Sequence, residues 1–181
     1  MIVLGIDPGS RRCGFGVVLR EGGRLRVLDS GVIAPRAAEI AGRLAAILEG
    51  LGEVIERTRP GEVSVEHVFA GVSPRSALVL GQARGVALAA AARAGLPVFE
   101  YQPSEVKLAF TGSGRASKEQ MLRTARTLLG IDAGLADEAD AIALAVCHLA
   151  RRTARLAVAR APAPDALVRL RPSRRDHRSA P

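Results

Sequence analysis

Aromatic residues are nearly missing from this chain, which has one Tyr, four Phe and no Trp. Its core must therefore be built from Leu, Ile, Val and Ala, and a 48% hydrophobic composition supplies enough of them. Cysteine is scarce too. Cys13 and Cys147 exclude a disulfide framework and lack metal-ligand spacing, so they read as buried thiols of a reducing compartment. His67, His148 and His177 form no zinc pattern. No apolar run is clean enough for a membrane span, because the longest, 77–94, is interrupted by Gln82, Arg84 and Arg93. No leader precedes the first apolar run, which begins directly after Met1, and the expected location is the cytoplasm.

Lysine is the sharpest shortage. Of 26 basic residues only Lys107 and Lys118 are Lys. Coding bias toward Arg erodes exchangeable lysines, so those that survive mark places needing a compact ammonium rather than a planar fork. Chance survival is the competing account. The net charge of +8 is unevenly placed. Residues 151–181 hold nine Arg and two Asp, whereas 1–150 hold 17 basic and 16 acidic groups. The 181 residues fit one domain, 1–154, followed by a basic Arg/Pro-rich tail, 155–181, with no apolar periodicity and an expected disordered state.

What is present centres on carboxylates. Ile2-Val3-Leu4-Gly5-Ile6-Asp7 is an apolar run that ends in an acid and breaks at Pro8-Gly9, the pattern of a buried strand. An Asp on such a strand is costly without a partner. Val63-Ser64-Val65-Glu66 repeats the pattern, and Asp137-Glu138-Ala139-Asp140 opens an Ala-rich apolar helix. Each has an ordinary alternative: Asp7 starting a turn, Glu66 ending an edge strand, Asp137 capping a helix with Asp140 on its dipole. Together, Asp7, Glu66, Asp137 and Asp140 make a carboxylate cluster suited to divalent cations and phosphoryl chemistry.

The rest of the chain orders these pieces. Strands are expected at 1–7, 14–20, 25–33, 62–66 and 98–101, the second and third joined as a hairpin at Glu21-Gly22-Gly23. Helices are expected after Pro35, from about 75 to 94, around Lys107, from Ser117-Lys118-Glu119-Gln120, a capping box, and over 137–152. The order βββαβαβααα implies an α/β fold, a mixed five-stranded sheet with helices packed against it and the first and fourth strands as neighbours. Adjacent strands about 5 Å apart would bring Asp7 beside Glu66. The 75–94 helix is apolar nearly all round and should be buried on two sides, in a protein interface or a central core position. Lys118, in the first turn of its helix, opposes the dipole unless an anion lies outside.

These residues resemble the RuvC family of crossover junction endodeoxyribonucleases. The likeness is carried by Gly5-Ile6-Asp7-Pro8-Gly9-Ser10, Val65-Glu66-His67-Val68-Phe69, Leu80-Gly81-Gln82-Ala83-Arg84-Gly85, Val106-Lys107, Lys118 and Asp137-x-x-Asp140-Ala-Ile-Ala. It spans roughly 1–150; His67 and the 70–75 loop depart from the commoner pattern. The resemblance implies an RNase H-like fold with sheet order 3-2-1-4-5 and helices on both faces, a homodimer, and paired cuts in four-way DNA junctions during recombination and repair, leaving 5′-phosphate and 3′-hydroxyl ends. It implies Mg²⁺, two ions per site with Mn²⁺ as a substitute, held by Asp7, Glu66, Asp137 and Asp140. Lys107 and Lys118 would act beside the cut phosphate, Phe69 and Arg75 would contact DNA, and RuvA–RuvB would be the partner machinery. Phe69 has an alternative as an ordinary core residue.

Three rivals stand beside this reading. An actin-like ATPase needs two related lobes, and about 150 ordered residues are too few. A non-catalytic junction binder has no use for four acids near phosphate. A related nuclease acting on RNA or hybrid duplexes is set aside only by the resemblance.

Overall fold

The computed structural model describes residues 1–67, 73–131 and 133–160. Five strands, β1 (Ile2–Asp7), β2 (Cys13–Glu21), β3 (Arg24–Ile33), β4 (Glu62–Glu66) and β5 (Val98–Tyr101), form one sheet of order β3-β2-β1-β4-β5. The β1–β2 and β2–β3 pairs are antiparallel; β4 runs parallel to both β1 and β5. The hairpin between β2 and β3 turns through Gly22 and Gly23, both at positive φ, the conformation that tight hairpins favour. The described residues also form five helices: α1 (Ile40–Thr58), α2 (Pro74–Arg93), α3 (Pro103–Thr111), α4 (Lys118–Leu129) and α5 (Ala136–Arg160). Element order and strand order are those expected from the sequence.

Strand alternation divides the core in two. Leu4, Ile6, Val17, Val63 and Val65 point to one face, where Ile47, Leu51, Val54 and Ile55 of α1 and Ala87, Ala90 and Ala91 of α2 cover them. Val3, Val18 and Tyr101 point to the other, beneath α3, α4 and α5. Apart from His148, the largest fully buried side chains are aliphatic, as the shortage of aromatics requires.

The last helix departs from expectation. It continues to Arg160, so 155–160, placed in the disordered tail by sequence, are helical. Ala and Arg are strong helix formers, and the final turns need no apolar stripe once the helix is anchored upstream. That anchoring comes from Arg151 to Glu105 at 2.8 Å, Arg152 to Glu62 at 2.8 Å, and Arg20 to the Leu149 carbonyl at 3.1 Å. Residues 161–181, the remainder of that expectation, lie outside the described residues.

Helix α2 departs as well. Ala83, Ala87, Ala90 and Ala91 are buried, but its other side is open and Leu78 is 66% exposed. It is covered on one side within the chain, which excludes the central core position.

Candidate active site

Asp7 closes β1 and Glu66 closes β4. The parallel ladder pairs Ile6 with Val65, so the two acids leave the same end of adjacent strands, one step further on. Strand alternation turns both toward the face that α5 covers. Directly across β2, Gly14 is the partner of Asp7.

Glycines allow α5 to reach this place. A Cβ on Gly14 would lie 2.0 Å from the Asp137 carbonyl oxygen, one on Gly5 2.0 Å from the Ala141 carbonyl oxygen, and one on Gly16 2.7 Å from the Ile142 backbone nitrogen. The first turns of α5 therefore rest on bare sheet backbone. Asp137 and Asp140, three residues apart, share one side of the helix start. Glu138 faces elsewhere: the Ser30 hydroxyl donates to it at 2.7 Å and the Gly134 N–H at 3.1 Å. It ties the helix start to β3 and to the preceding turn.

The electrostatics join the four acids. Burial pushes the Asp7 carboxyl up to about 8, and the charges of Glu66, Asp140 and Asp137 push the same way. Glu66 is raised by burial and by Asp140. Asp140 is raised chiefly by burial, with Lys118 and Lys107 opposing and Asp137 assisting. No hydrogen bond among the described residues relieves these three carboxyls. Lys107 also acts on Glu66, and Lys118 on Asp7. Both surviving lysines thus lie within the field of the acids. Lys118 is the first residue of α4, whose Ser117 cap accepts from the Gln120 N–H, the expected capping box. Arg12 approaches Asp137 at 3.9 Å, its side chain 56% exposed.

Half-buried carboxylates without hydrogen-bond partners, with ammonium groups nearby, are the donor set of a hard divalent cation. Among the described residues no group of three or more His, Cys, Asp or Glu already closes on one metal position. That is compatible with Mg²⁺, which takes one or two carboxylates and completes its shell with water and substrate phosphate.

Of the remaining sequence candidates, Arg75 lies in the exposed first turn of α2, lining a pocket of about 390 Å³ with Ser10, Ser76, Val79 and Leu80. Phe69 falls outside the described residues. His67 hydrogen-bonds to Glu100 through Nδ1 at 2.6 Å, and Arg84 pairs with the same carboxylate at 2.5 Å. These contacts hold that carboxyl below its usual range, the His67 bond most of all. Sequence reasoning missed Gly5, Gly14 and Gly16 as the seat of α5; glycines repeated within a strand signal close backbone approach. It also missed Arg12, for which no pattern stands in the sequence.

The family model for crossover junction endodeoxyribonuclease RuvC matches residues 3–148. The chain belongs to the RuvC family. A crossover junction endodeoxyribonuclease RuvC from Anaeromyxobacter dehalogenans (strain 2CP-C) is 70% identical, the match covering 100% of both chains. One from Trichlorobacter lovleyi is 51% identical over 82% of this chain and 85% of that one. Among solved structures, T. thermophilus RuvC in complex with Holliday junction substrate superposes with a TM-score of 0.78 at 37% identity, covering 87% of this chain and 96% of that one. The yeast mitochondrial Holliday junction resolvase Ydc2, at 16% identity and a TM-score of 0.62, shares the fold, with 86% of this chain and 80% of that one covered. Membership makes this chain a metal-dependent endonuclease of the RNase H-like class. Among the described residues, no helix is long and apolar enough to cross a membrane.

Proposed function

We propose that this RuvC-family chain resolves four-way DNA junctions as a homodimer, through Mg²⁺ ions held by Asp7, Glu66, Asp137 and Asp140. The observation that carries the reading is the convergence of four acids and the chain's only two lysines at the shared end of β1 and β4. Two ions per site, with Mn²⁺ able to replace Mg²⁺, suit four acids divided between neighbouring elements. Cations held there by Asp7, Glu66, Asp137 and Asp140 would supply Lewis acidity for phosphodiester hydrolysis by water, with 5′-phosphate and 3′-hydroxyl ends as the products. The protein's part is to hold the acids at fixed spacing and to bring positive charge to the strand. The deciding experiment incubates end-labelled four-way junction, linear duplex and RNA–DNA hybrid with Mg²⁺ or with EDTA. Metal-dependent cutting confined to the junction is expected; equal cutting of hybrid or duplex would move the protein to another nuclease class.

Lys107 and Lys118 stabilise charge that develops on the phosphate. Each Lys→Ala variant should slow cleavage roughly 10²-fold, the scale of a lost electrostatic stabiliser. Junction affinity should change far less, because many phosphate contacts remain. Lys→Arg should restore binding better than rate, since a guanidinium cannot occupy the same point. Full activity of the double Lys→Arg variant in single-turnover assays would remove both lysines from the mechanism.

The open side of α2, with Leu78 exposed, is the surface that supports a two-fold dimer. Two symmetric subunits suit two symmetric nicks. Sedimentation at micromolar concentration should give a dimer, and Leu78→Arg should yield monomers that bind junction without paired cutting. A monomeric parent with full resolving activity excludes this arrangement. Arg75 and Phe69 are proposed junction contacts, RuvA–RuvB the branch-migration partner, and the cytoplasm the compartment. The domain extends through α5 to Arg160, and the basic segment beyond it adds salt-sensitive affinity. Removing 161–181 should leave junction selectivity intact at low salt; loss of selectivity would contradict that division.

A further inference from the structure

The face of β4 beneath α5 is polar along its whole length. Glu62, Ser64 and Glu66 alternate with Val63 and Val65, which fill the opposite core. Glu66 belongs to the acid cluster; Glu62 lies at the far end of the strand. There it meets His148 of α5, which is only 1% exposed. Both ring nitrogens of His148 are engaged. Nε2 bonds to the Glu62 carboxylate, and Nδ1 shares a 2.7 Å hydrogen bond with the Tyr101 hydroxyl. Arg152, one turn further along α5, pairs with the other Glu62 oxygen at 2.8 Å. The Phe99 ring packs on the imidazole at a centroid distance of 4.5 Å.

Stability is a poor reason for this arrangement. Burying an acid, an imidazole and a phenol costs desolvation that apolar side chains of similar volume avoid. Directional bonds supply what apolar packing does not, a fixed position along the helix axis. α5 needs such a fix, because its first half rests on Gly5, Gly14 and Gly16, which let it come close but present no side chains to stop it sliding. The geometry is also balanced. Glu62 to Glu66 spans about 13 Å of strand. Asp140 to His148 spans about 12 Å of helix. The network joins the two elements at one end, and the acids face each other at the other end, across arms of nearly equal length.

We propose that Tyr101, His148, Glu62 and Arg152 are positioning residues that set the axial register of α5 against β4, and so the spacing between Glu66 and the Asp137–Asp140 pair. The proposal rests on reading those acids as cation ligands. It is tested with Tyr101→Phe, which loses only a hydroxyl, and His148→Gln, at a temperature where circular dichroism shows each variant folded. Calorimetry measures Mn²⁺ binding to the protein without DNA, and cleavage is titrated with Mg²⁺. The expected result is a rise of about 3- to 10-fold in the metal concentration for half-saturation, somewhat less than the effect of losing a residue bonded directly to a metal ligand. Cleavage should return near the parent rate at saturating Mg²⁺, and junction affinity in EDTA should be unchanged. A merely structural role would lower the melting temperature and leave the metal affinity of the folded protein alone. Folded variants with the parent's Mn²⁺ affinity and Mg²⁺ midpoint overturn the proposal. Should His148→Gln not fold, Tyr101→Phe decides alone. A parent protein that binds no Mn²⁺ overturns the site reading itself, and this role with it.

Discussion

Asp7→Asn is expected to abolish junction cleavage and, in the absence of metal, to make the protein more stable. The two effects have one cause. Asp7 is held in a buried place among three other acids, with its carboxyl pushed up to about 8. An unfolded Asp titrates near 4. Between those values the folded protein keeps a proton that the unfolded chain has released, so stability falls as pH rises through this window and levels off above about 8. Asn does not titrate. Its advantage over Asp in EDTA should be near zero below pH 4, grow through neutrality and reach its full size above pH 8, on the order of a few kcal/mol. For a domain of this size that is a rise in melting temperature of roughly 5–10 °C. Cleavage should fall by at least about 10³-fold, since both a proposed cation ligand and its charge are lost. Junction affinity should hold or tighten, because a charge that repels phosphate is gone. Melting curves at pH 5, 7 and 9 in EDTA, with a single-turnover assay in Mg²⁺, check both halves. An Asn variant that cuts at the parent rate, or gains no stability at pH 9, would remove Asp7 from the centre of the cluster.

The part of this site legible in the sequence was the part written as local contrast. An Asp at the end of an apolar strand stands out, as does a Glu at the end of a second and an acid pair opening an apolar helix. Two lysines among 26 basic residues stand out in the same way. Hairpin and helix boundaries followed because Gly22-Gly23, Ser117 and Gln120 act through their immediate neighbours. What escaped was set by contact between distant segments. The resemblance named Asp137 rather than Glu138, but the physical reason was not in the local sequence; the Ser30 hydroxyl on β3, 108 residues away, holds Glu138 elsewhere. His148 in an apolar helix and Glu62 at a strand start look unremarkable until the fold puts them together. The end of α5 was misplaced because disorder was inferred from missing apolar periodicity, while the helix is anchored just upstream of its last turns by Arg151–Glu105 and Arg152–Glu62 pairs reaching other elements.

Gly14→Ala should cost more activity than any other single methyl added to this sheet. Gly14 is the cross-strand partner of Asp7, and a Cβ there would sit 2.0 Å from the carbonyl oxygen of Asp137 and 2.5 Å from its carbonyl carbon. Both obstacles are backbone, so no rotamer change makes room. Either the first turn of α5 rises from the sheet by more than about 1 Å or β2 bends away, at a cost of roughly 1–3 kcal/mol for overpacking. Either movement carries Asp137, and with it Asp140, away from Asp7. Displacements of that size in a reacting centre cost about 10²-fold in rate. Cleavage at saturating Mg²⁺ should therefore drop by at least that factor, with a loss of several degrees in melting temperature and little change in junction binding. Gly52, inside α1 with nothing within 4 Å of its Cβ position, is the matched control. Gly52→Ala should leave cleavage unchanged and add slightly to stability, since Ala is the better helix residue. If Gly14→Ala cuts junctions as the parent does, α5 tolerates the methyl without moving its acids. The close seat of the helix on bare glycine would then not be what assembles the site.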